Sequence, residues 1–355
     1  MPILVYTPQF SPRIKHAFTV MLDEVCGADG ITFTTDLEKL NIIEGTRINY
    51  SREAAEGSLQ FVPAGLLNEK DISEHDIYIS THQDVPTFFA VNNSALPFDP
   101  FAAGFYLFSR YEEYLPHIGD SHNRFPATES LAYKEGFLDI PVVNIWAGWV
   151  KELIMEQFPD QHFNSTPYQY ITTVDVDNLF AYKGKGVFRS AGGILKDLFS
   201  VQFAELTQRI QTLLGFKKDL FDTFQRQIEM RDEAGVESIY FILFAEFAQY
   251  DRNISMHSPI MHEQVRGMYD YTEVGIHPSY ESNSNAKQVE FELRMLENAL
   301  RSPITKSRQH FLKMRLPDTI RQLADLGITD EYSMGYASEP GFRAGMATPF
   351  TLSLI

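Results

Sequence analysis

The sequence predicts an α/β fold built from two domains. The chain has 355 residues, of which 44% are hydrophobic, which is enough for two cores of ordinary size. After residue 168, apolar runs typical of strands alternate with helical patterns. This alternation indicates a parallel sheet, either doubly wound or closed as a barrel. The polar segment 164–167 precedes the change and indicates a linker, so we predict domains at residues 1–163 and 168–355.

The N-terminal domain mixes short strand and helix patterns. Runs of β-branched and aromatic residues predict strands over 31–35 and 76–80. A helix is expected from Ala102 onward, and we interpret residues 109–114 as its solvated end, with tyrosines packed beneath the charged side chains. Helical periodicity over 145–158 predicts an amphipathic helix whose inner side carries two tryptophans.

The second domain has five predicted strands, which are too few to close a barrel. They lie at 168–176, 236–244, 272–276, 309–312 and 328–334. The helical stretches lie at 187–234, broken near Gly215 and ended by Gly235, at 286–300, and at 318–326.

Composition excludes several classes of function. The formal net charge of −17 makes nucleic acid an unsuitable partner and argues against docking on anionic lipid. The single cysteine, Cys26, excludes an internal disulfide and cysteine-rich zinc sites, so any metal must bind to Asp, Glu and His. No apolar run reaches the ~18 residues of a membrane helix, and the first residues lack the pattern of a secretion signal. We therefore expect a cytoplasmic protein without membrane insertion; the sequence does not indicate its oligomeric state.

Two carboxylates two residues apart form the first candidate site. Asp175 and Asp177 follow a buried strand, and the i, i+2 spacing points both side chains to one face while the strand persists. Functional residues of parallel sheets gather at the carboxyl ends of strands. A divalent cation would relieve the repulsion between the two charges. The alternative is a turn in which an aspartate caps the next helix.

Three further side chains are expected at the same edge of the sheet. His277 ends a predicted strand and could be a neutral imidazole ligand. Arg308 and His310 lie two apart on the next predicted strand, where the arginine could grip a carboxylate. A surface ion pair is the alternative for Arg308. In the last segment, Gly341 and Gly345 indicate either a close backbone approach or a plain turn.

Taken together, these segments resemble the polysaccharide deacetylase family, in a divergent branch with an N-terminal α/β domain of uncertain role. The resemblance covers about residues 168–350 and implies a distorted (β/α) barrel. Thr173-Val174-Asp175 matches the start of the family motif Thr-Phe-Asp-Asp, which implies that Asp175 is the general base. The metal-binding aspartate is then displaced by one residue, to Asp177.

The resemblance also implies the remaining ligands. His277 matches the first histidine of the family motif His-x-x-x-His, but Glu281 stands at the second position. The third ligand is therefore His310 or Glu281, and we prefer His310 because one Asp with two His suits zinc-like ions. Arg308 matches the arginine that orients the catalytic aspartate. The implied cofactor is one divalent ion, with zinc preferred over cobalt, manganese or iron.

The implied activity is metal-assisted hydrolysis that removes acetyl groups from an acetylated glycan or amino-sugar, at an amide or ester bond. A backbone N–H near Tyr280 is expected to stabilise the oxyanion. The family's late histidine, its general acid, has no counterpart after His310. We therefore expect an incomplete barrel that lacks its last strands and has low turnover.

Three other functions remain open. A metal-dependent glycosyltransferase would use Asp175-Val176-Asp177 to bind a nucleotide-sugar, but it gives no role to His277 or Arg308. A phosphatase with an aspartyl-phosphate intermediate usually has Thr or Val where this chain has Leu179. A degenerate, non-catalytic carbohydrate-binding protein is the alternative outside the enzymes.

Overall fold

The computed structural model describes residues 2–165 and 167–354, so Thr166 of the predicted linker lies outside the described residues. The chain divides into two compact units, one of Met1–Pro167 with Met334–Ile355 and the other of Tyr168–Ser333. The sequence prediction assigned residues 334–355 to the second domain, whereas the structure has them in the first unit. Within the described residues, no helix has both the length and the apolar character needed to cross a membrane.

The first unit is built on a parallel four-stranded sheet with the strand order β2-β1-β3-β4. Its strands are β1 (Ile3–Tyr6), β2 (Ile31–Thr34), β3 (Arg47–Tyr50) and β4 (Leu59–Phe61). Its helices are α1 (Pro12–Phe18, continued by a π-helix over Thr19–Val25), α2 (Leu37–Ile42), α3 (Pro100–Phe108), α4 (Leu131–Lys134) and α5 (Val142–Gln157). Helix α5 buries both tryptophans, as its periodicity predicts.

A short antiparallel hairpin of this unit lies where the sequence predicts a strand over 76–80. That prediction is wrong for residues 76–79, because the hairpin is formed by β5 (Ser80–His82) and β6 (Val85–Thr87). The two turn residues, Gln83 and Asp84, both have positive φ (49° and 61°). Such angles match the twist of a two-residue hairpin. The turn therefore fixes the pairing of β5 with β6, which starts at His82 and Val85 and ends at Ser80 and Thr87.

Residues 109–114 do not form a solvated helix end, contrary to the sequence prediction. Helix α3 ends at Phe108, and Arg110 takes a left-handed conformation (φ 57°) before a 3₁₀ turn over Tyr111–Tyr114. Arg110 is 1% exposed, and Glu112 and Glu113 are 7% and 6% exposed. Buried charges require partners, and the partner of this cluster lies far along the chain.

Arg343 supplies the missing partner. The Nε–H of Arg343 donates to Oε1 of Glu113 (2.8 Å), and an Nη2–H of Arg343 donates to Oε2 of the same carboxylate (2.7 Å). Arg110 donates Nε to Oε1 of Glu113 (2.8 Å) and Nη2 to Oε1 of Glu112 (2.6 Å). The hydroxyl of Tyr336 accepts a further bond from Arg110 (3.0 Å). These contacts hold residues 334–345 in the first unit.

Gly341, two residues before Arg343, makes a close backbone approach, whereas a Cβ at Gly345 would meet the side chains of Leu107 and Val143. Gly341 has φ 142°, and a Cβ at this position would lie 2.6 Å from the carbonyl oxygen of Leu138. The amide of the next residue, Phe342, donates to that same oxygen (2.8 Å). A side chain at position 341 would therefore displace this segment from the unit.

The second unit is a parallel sheet in which strand order follows chain order, from β7 to β11. The strands are β7 (Ile171–Val176), β8 (Glu237–Ile242), β9 (Glu273–Ile276), β10 (Lys306–Ser307) and β11 (Asp330–Glu331). A doubly wound sheet would reverse its order, whereas a (β/α) barrel does not. Within the described chain, β7 and β11 each pair on one side only, so the sheet is open. The predicted α/β fold with a partial barrel is confirmed.

Six helices connect these strands: α6 (Gly186–Phe199), α7 (Phe203–Leu213), α8 (Phe224–Ala234), α9 (Pro259–Tyr269), α10 (Ala286–Leu300) and α11 (Asp318–Asp325). The stretch 187–234 thus contains three helices, the last ended by left-handed Gly235 as predicted. The predicted strand over 309–312 is wrong, because the ladder stops at Ser307 and His310–Leu312 forms a 3₁₀ turn with Phe311 at φ 61°.

The two faces of this sheet differ in what packs against them. On one face, Tyr240 and Ile242 of β8 are buried with apolar residues of α9 and α10, such as Val265 and Leu296. On the other, Phe241 packs against the guanidinium of Arg308 (4.8 Å from Cζ to the ring centroid). Gly275 leaves room for this ring, since a Cβ there would lie 2.6 Å from it.

Candidate metal centre

The first two candidate residues lie at the carboxyl end of β7. Asp175 is the fifth residue of the strand and Asp177 follows its last residue. Their side chains alternate with buried Val176 and are partly open to solvent, at 35% and 50% exposed. The i, i+2 spacing therefore brings both carboxylates to one accessible edge of the sheet.

His277 follows the last residue of β9 and is 2% exposed. Its Nδ1 lies 2.6 Å from the carbonyl oxygen of Arg308, which can only accept, so Nδ1 carries a proton. The backbone amide of His277 donates to the carbonyl of Ile242 on β8 (2.9 Å). With the ring fixed in this way, Nε2 lies 3.3 Å from Oδ1 of Asp177.

His310 reaches the same point from the turn after β10. Its Nδ1 donates to Oδ1 of Asp251 (2.9 Å), and its Nε2 lies 3.6 Å from Oδ1 of Asp177. Both His310 and Asp251 are buried, at 6% and 2% exposed. The strand predicted over 309–312 is absent, and it is the 3₁₀ turn over His310–Leu312 that brings the imidazole close to the carboxylate of Asp177.

One oxygen and two nitrogens thus converge. The ligand atoms of Asp177, His277 and His310 all lie within 4.8 Å of one another. A hydrogen bond with His277 holds the pKa of Asp177 below its usual value, against the opposing effect of burial. Glu281, the alternative third ligand, is exposed in a 3₁₀ turn and does not belong to the cluster.

Arg308 joins this cluster to Asp175. Its Nη1 donates to Oδ1 of Asp175 (3.0 Å), its Nη2 to Oγ1 of Thr173 (2.9 Å), and its Nε to the carbonyl of Tyr332 (3.1 Å). Three directed bonds fix the plane of the guanidinium. Arg308 therefore orients Asp175 through Oδ1, while the side chain of Asp175 stays partly open to solvent.

Asp251 is a functional candidate that the sequence did not indicate. It lies in the connection between β8 and α9, without a periodic pattern or motif to mark it. Oδ1 of Asp251 accepts from His310 and also from the backbone N–H of Tyr280 (2.9 Å). The expectation that the backbone N–H of Tyr280 stabilises an oxyanion is therefore not supported, because this N–H already donates a hydrogen bond to Asp251.

A further acid, the half-buried Glu331, lies close enough to Arg308 to interact with its charge. It accepts from the hydroxyls of Ser307 and Ser333 and from the amide of Ser333 (3.0 Å). Burial raises the pKa of Glu331 to about 7, opposed by these hydrogen bonds and by Arg308. The folded protein therefore binds this proton more tightly than the unfolded chain does.

We expect stability to depend on pH through this group. Its contribution is complete below the unfolded pKa of 4.5 and is lost as the pH rises towards 7. Glu331→Gln cannot ionise and should remove up to about 3 kcal/mol of this pH dependence. The measurement is thermal unfolding of both proteins across this range, with exposed Glu273→Gln as the matched control. Parallel pH profiles for the parent and Glu331→Gln would contradict the assignment.

Comparison with known proteins gives limited matches. The model of a family of unknown function, DUF7033, matches residues 3–159. No curated protein matches the chain. Among solved structures, a predicted polysaccharide deacetylase from Mycobacterium smegmatis is 15% identical with a TM-score of 0.30, covering 48% of this chain and 54% of that one. IcaB from Ammonifex degensii is 12% identical with a TM-score of 0.29, covering 53% of this chain and 92% of that one. The chain therefore spans about half of the length of the Mycobacterium protein.

Proposed function

We propose that this chain is a metal-dependent hydrolase that removes acetyl groups from an acetylated glycan or amino-sugar. The observation that carries the proposal is the convergence of Asp177, His277 and His310 beside a carboxylate, Asp175, that is gripped by an arginine. A glycosyltransferase that binds its metal through Asp175 and Asp177 alone would leave the two buried imidazoles without a purpose.

The donor set fits a zinc-like ion. The Nδ1 atoms of both histidines donate to oxygens, of the Arg308 carbonyl and the Asp251 carboxylate, so an ion that replaced the proton between Nε2 and Asp177 would meet the Nε2 lone pair of each neutral ring. Two imidazole nitrogens and one carboxylate are typical of catalytic zinc sites, which keep a further position open. Bound there, the ion would supply Lewis-acid polarisation of an acyl oxygen and activation of water.

The chain's own residues would perform the proton transfer. Asp175 has one oxygen engaged by Arg308 and is partly exposed, so a proton from an attacking water can reach it. Arg308 is a positioning residue, because its hydrogen bond orients Asp175. The open edge of the sheet leaves this carboxylate accessible to a glycan.

Asp251 is expected to tune metal affinity through His310. Asp251→Asn keeps the shape of the side chain but removes the charge that supports the imidazole, and such changes typically weaken metal binding by about 10–100-fold. The measurement is zinc affinity by competition with a chromogenic chelator. Asp325→Asn, an exposed substitution of the same type, is the matched control. Equal affinities for Asp251→Asn and the parent protein, both folded by circular dichroism, would contradict the role.

The experiment that tests the function is acetate release from an N-acetylglucosamine oligomer and from an aryl acetate, both with and without added zinc. The aryl ester needs no protonation of its leaving group, so it tests the attack step separately from the general acid. Zinc-dependent cleavage of the aryl ester supports the proposal. Glycan binding without cleavage of either substrate would favour the non-catalytic carbohydrate-binding alternative.

A further inference from the structure

Helix α6 exposes its apolar side and buries a charged one. Surface helices of folded domains usually turn their apolar stripe inward. Here Phe188 is 94% exposed, whereas Asp197 on the opposite side is 4% exposed. At 3.6 residues per turn, the large exposed apolar residues of α6 fall on one side of the helix. They are Val187, Phe188, Leu195, Leu198 and Phe199.

Polar contacts fix this orientation. Oδ2 of Asp197 accepts from Nε of Arg209 on α7 (2.6 Å), and the guanidinium of Arg209 lies 4.5 Å from the ring centroid of Tyr182. Arg189 donates to the carbonyl oxygens of Arg252 and Asn253 (3.1 Å each). Rotating α6 to bury its phenylalanines would break these bonds, so the exposed apolar side belongs to the folded state.

The next helix and its flanks extend the same surface. We define the hairpin surface as the exposed apolar side chains of α6 with those of α7 and its ends. The latter are Val201 (67% exposed), Phe203 (60%), Ile210 (40%), Leu213 (39%), Leu214 (65%) and Phe216 (78%). Monomeric soluble proteins rarely expose a contiguous apolar patch of such composition unless it binds something.

The charge around this surface is opposite to that of the chain. Residues 183–222 contain seven basic and four acidic side chains, a local excess of three positive charges in a chain whose formal net charge is −17. Charges further away than about 8 Å are largely screened at physiological ionic strength, so the acidic remainder does not cancel the local excess. Lys196, Lys217 and Lys218 are exposed at this surface.

We propose that the hairpin of α6 and α7 docks on an anionic phospholipid bilayer. Amphipathic helices with Phe and Leu on one side and Lys and Arg around them lie in the plane of the membrane interface. The apolar side chains enter the acyl boundary while the lysines stay among the headgroups. A second copy of the chain is a poorer occupant, because it would bring the same positive charges face to face.

Flotation of the full chain with vesicles tests this inference. We expect binding to vesicles of phosphatidylcholine mixed with phosphatidylglycerol, weaker binding to phosphatidylcholine alone, and release at high salt. The double variant Phe188→Ser/Phe199→Ser should bind at least about tenfold more weakly. Its matched control is Phe291→Ser, which changes an exposed phenylalanine on α10. Lys217→Gln/Lys218→Gln should lose most of the preference for anionic vesicles, and Lys287→Gln should not.

Three results would overturn the inference. One is the absence of binding to anionic vesicles by the folded parent protein. Another is equal binding by the parent and the Phe188→Ser/Phe199→Ser variant. The third is a dimer in light scattering that the same variant dissociates while no vesicle binding is found, which would identify the surface as an interface between copies.

Discussion

Asp175→Asn is expected to reduce cleavage of the aryl acetate by about two to four orders of magnitude, the usual contribution of a positioned general base. Asparagine keeps the oxygen that accepts from Arg308 but cannot take a proton at neutral pH. Because Asp175 does not belong to the ligand cluster, zinc content should remain that of the parent protein.

The two readouts separate this role from a structural one. Asp177→Ala should lose both zinc and activity, whereas Asp175→Asn should lose activity alone. A folded Asp175→Asn protein with more than half of the parent rate would exclude Asp175 as the base. Loss of zinc in this variant would instead place Asp175 among the ligands.

Glu113→Ala is expected to lower the free energy of unfolding of the first unit by about 3–5 kcal/mol, since it leaves the buried guanidinium of Arg343 without a carboxylate and that of Arg110 with Glu112 alone. Burial alone would raise the pKa of Glu113, but Arg343 and Arg110 hold it below its usual value. The carboxylate is therefore ionised at neutral pH and engaged by both guanidinium groups. Glu113→Gln, which keeps the acceptor oxygen, should fall between the parent and the alanine variant.

Tryptophan fluorescence can follow this unit selectively. Both tryptophans of the chain, Trp146 and Trp149, lie on α5 and are buried there. Urea unfolding by this signal should show the loss in Glu113→Ala but at most about 1 kcal/mol in Glu129→Ala, which removes a partly exposed pair with Lys134 in the same unit. Equal losses in the two variants would mean that the buried cluster contributes no more than a surface ion pair.

Local sequence patterns predicted most of the elements and every residue of the candidate site except Asp251. The two aspartates and His277 were predicted because strand periodicity and strand-end position are local properties. Asp251 could not be found in the same way, since its role arises from a contact with His310, 59 residues further along the chain. Similarly, the charges of residues 110–113 suggested solvent exposure because their partner, Arg343, is 230 residues from Glu113.

The position of His310 could not be predicted for a different reason, which is the unmarked turn that contains it. Alternation predicted that it shares a strand with Arg308, but the ladder is only two residues long and ends before both. A left-handed Phe311 then turns the chain so that His310 faces Asp177. Sequence patterns do not mark such turns when no glycine or asparagine occupies them.

The central claim is that Asp177, His277 and His310 bind one divalent ion. The most direct test is elemental analysis of the purified protein after reconstitution with zinc, beside Asp177→Ala and the exposed control Asp325→Ala. We expect about one ion per chain in the parent and the control, and a large loss in Asp177→Ala. No bound ion in the folded parent protein, or equal content in Asp177→Ala, would mean that these three residues do not form a metal site.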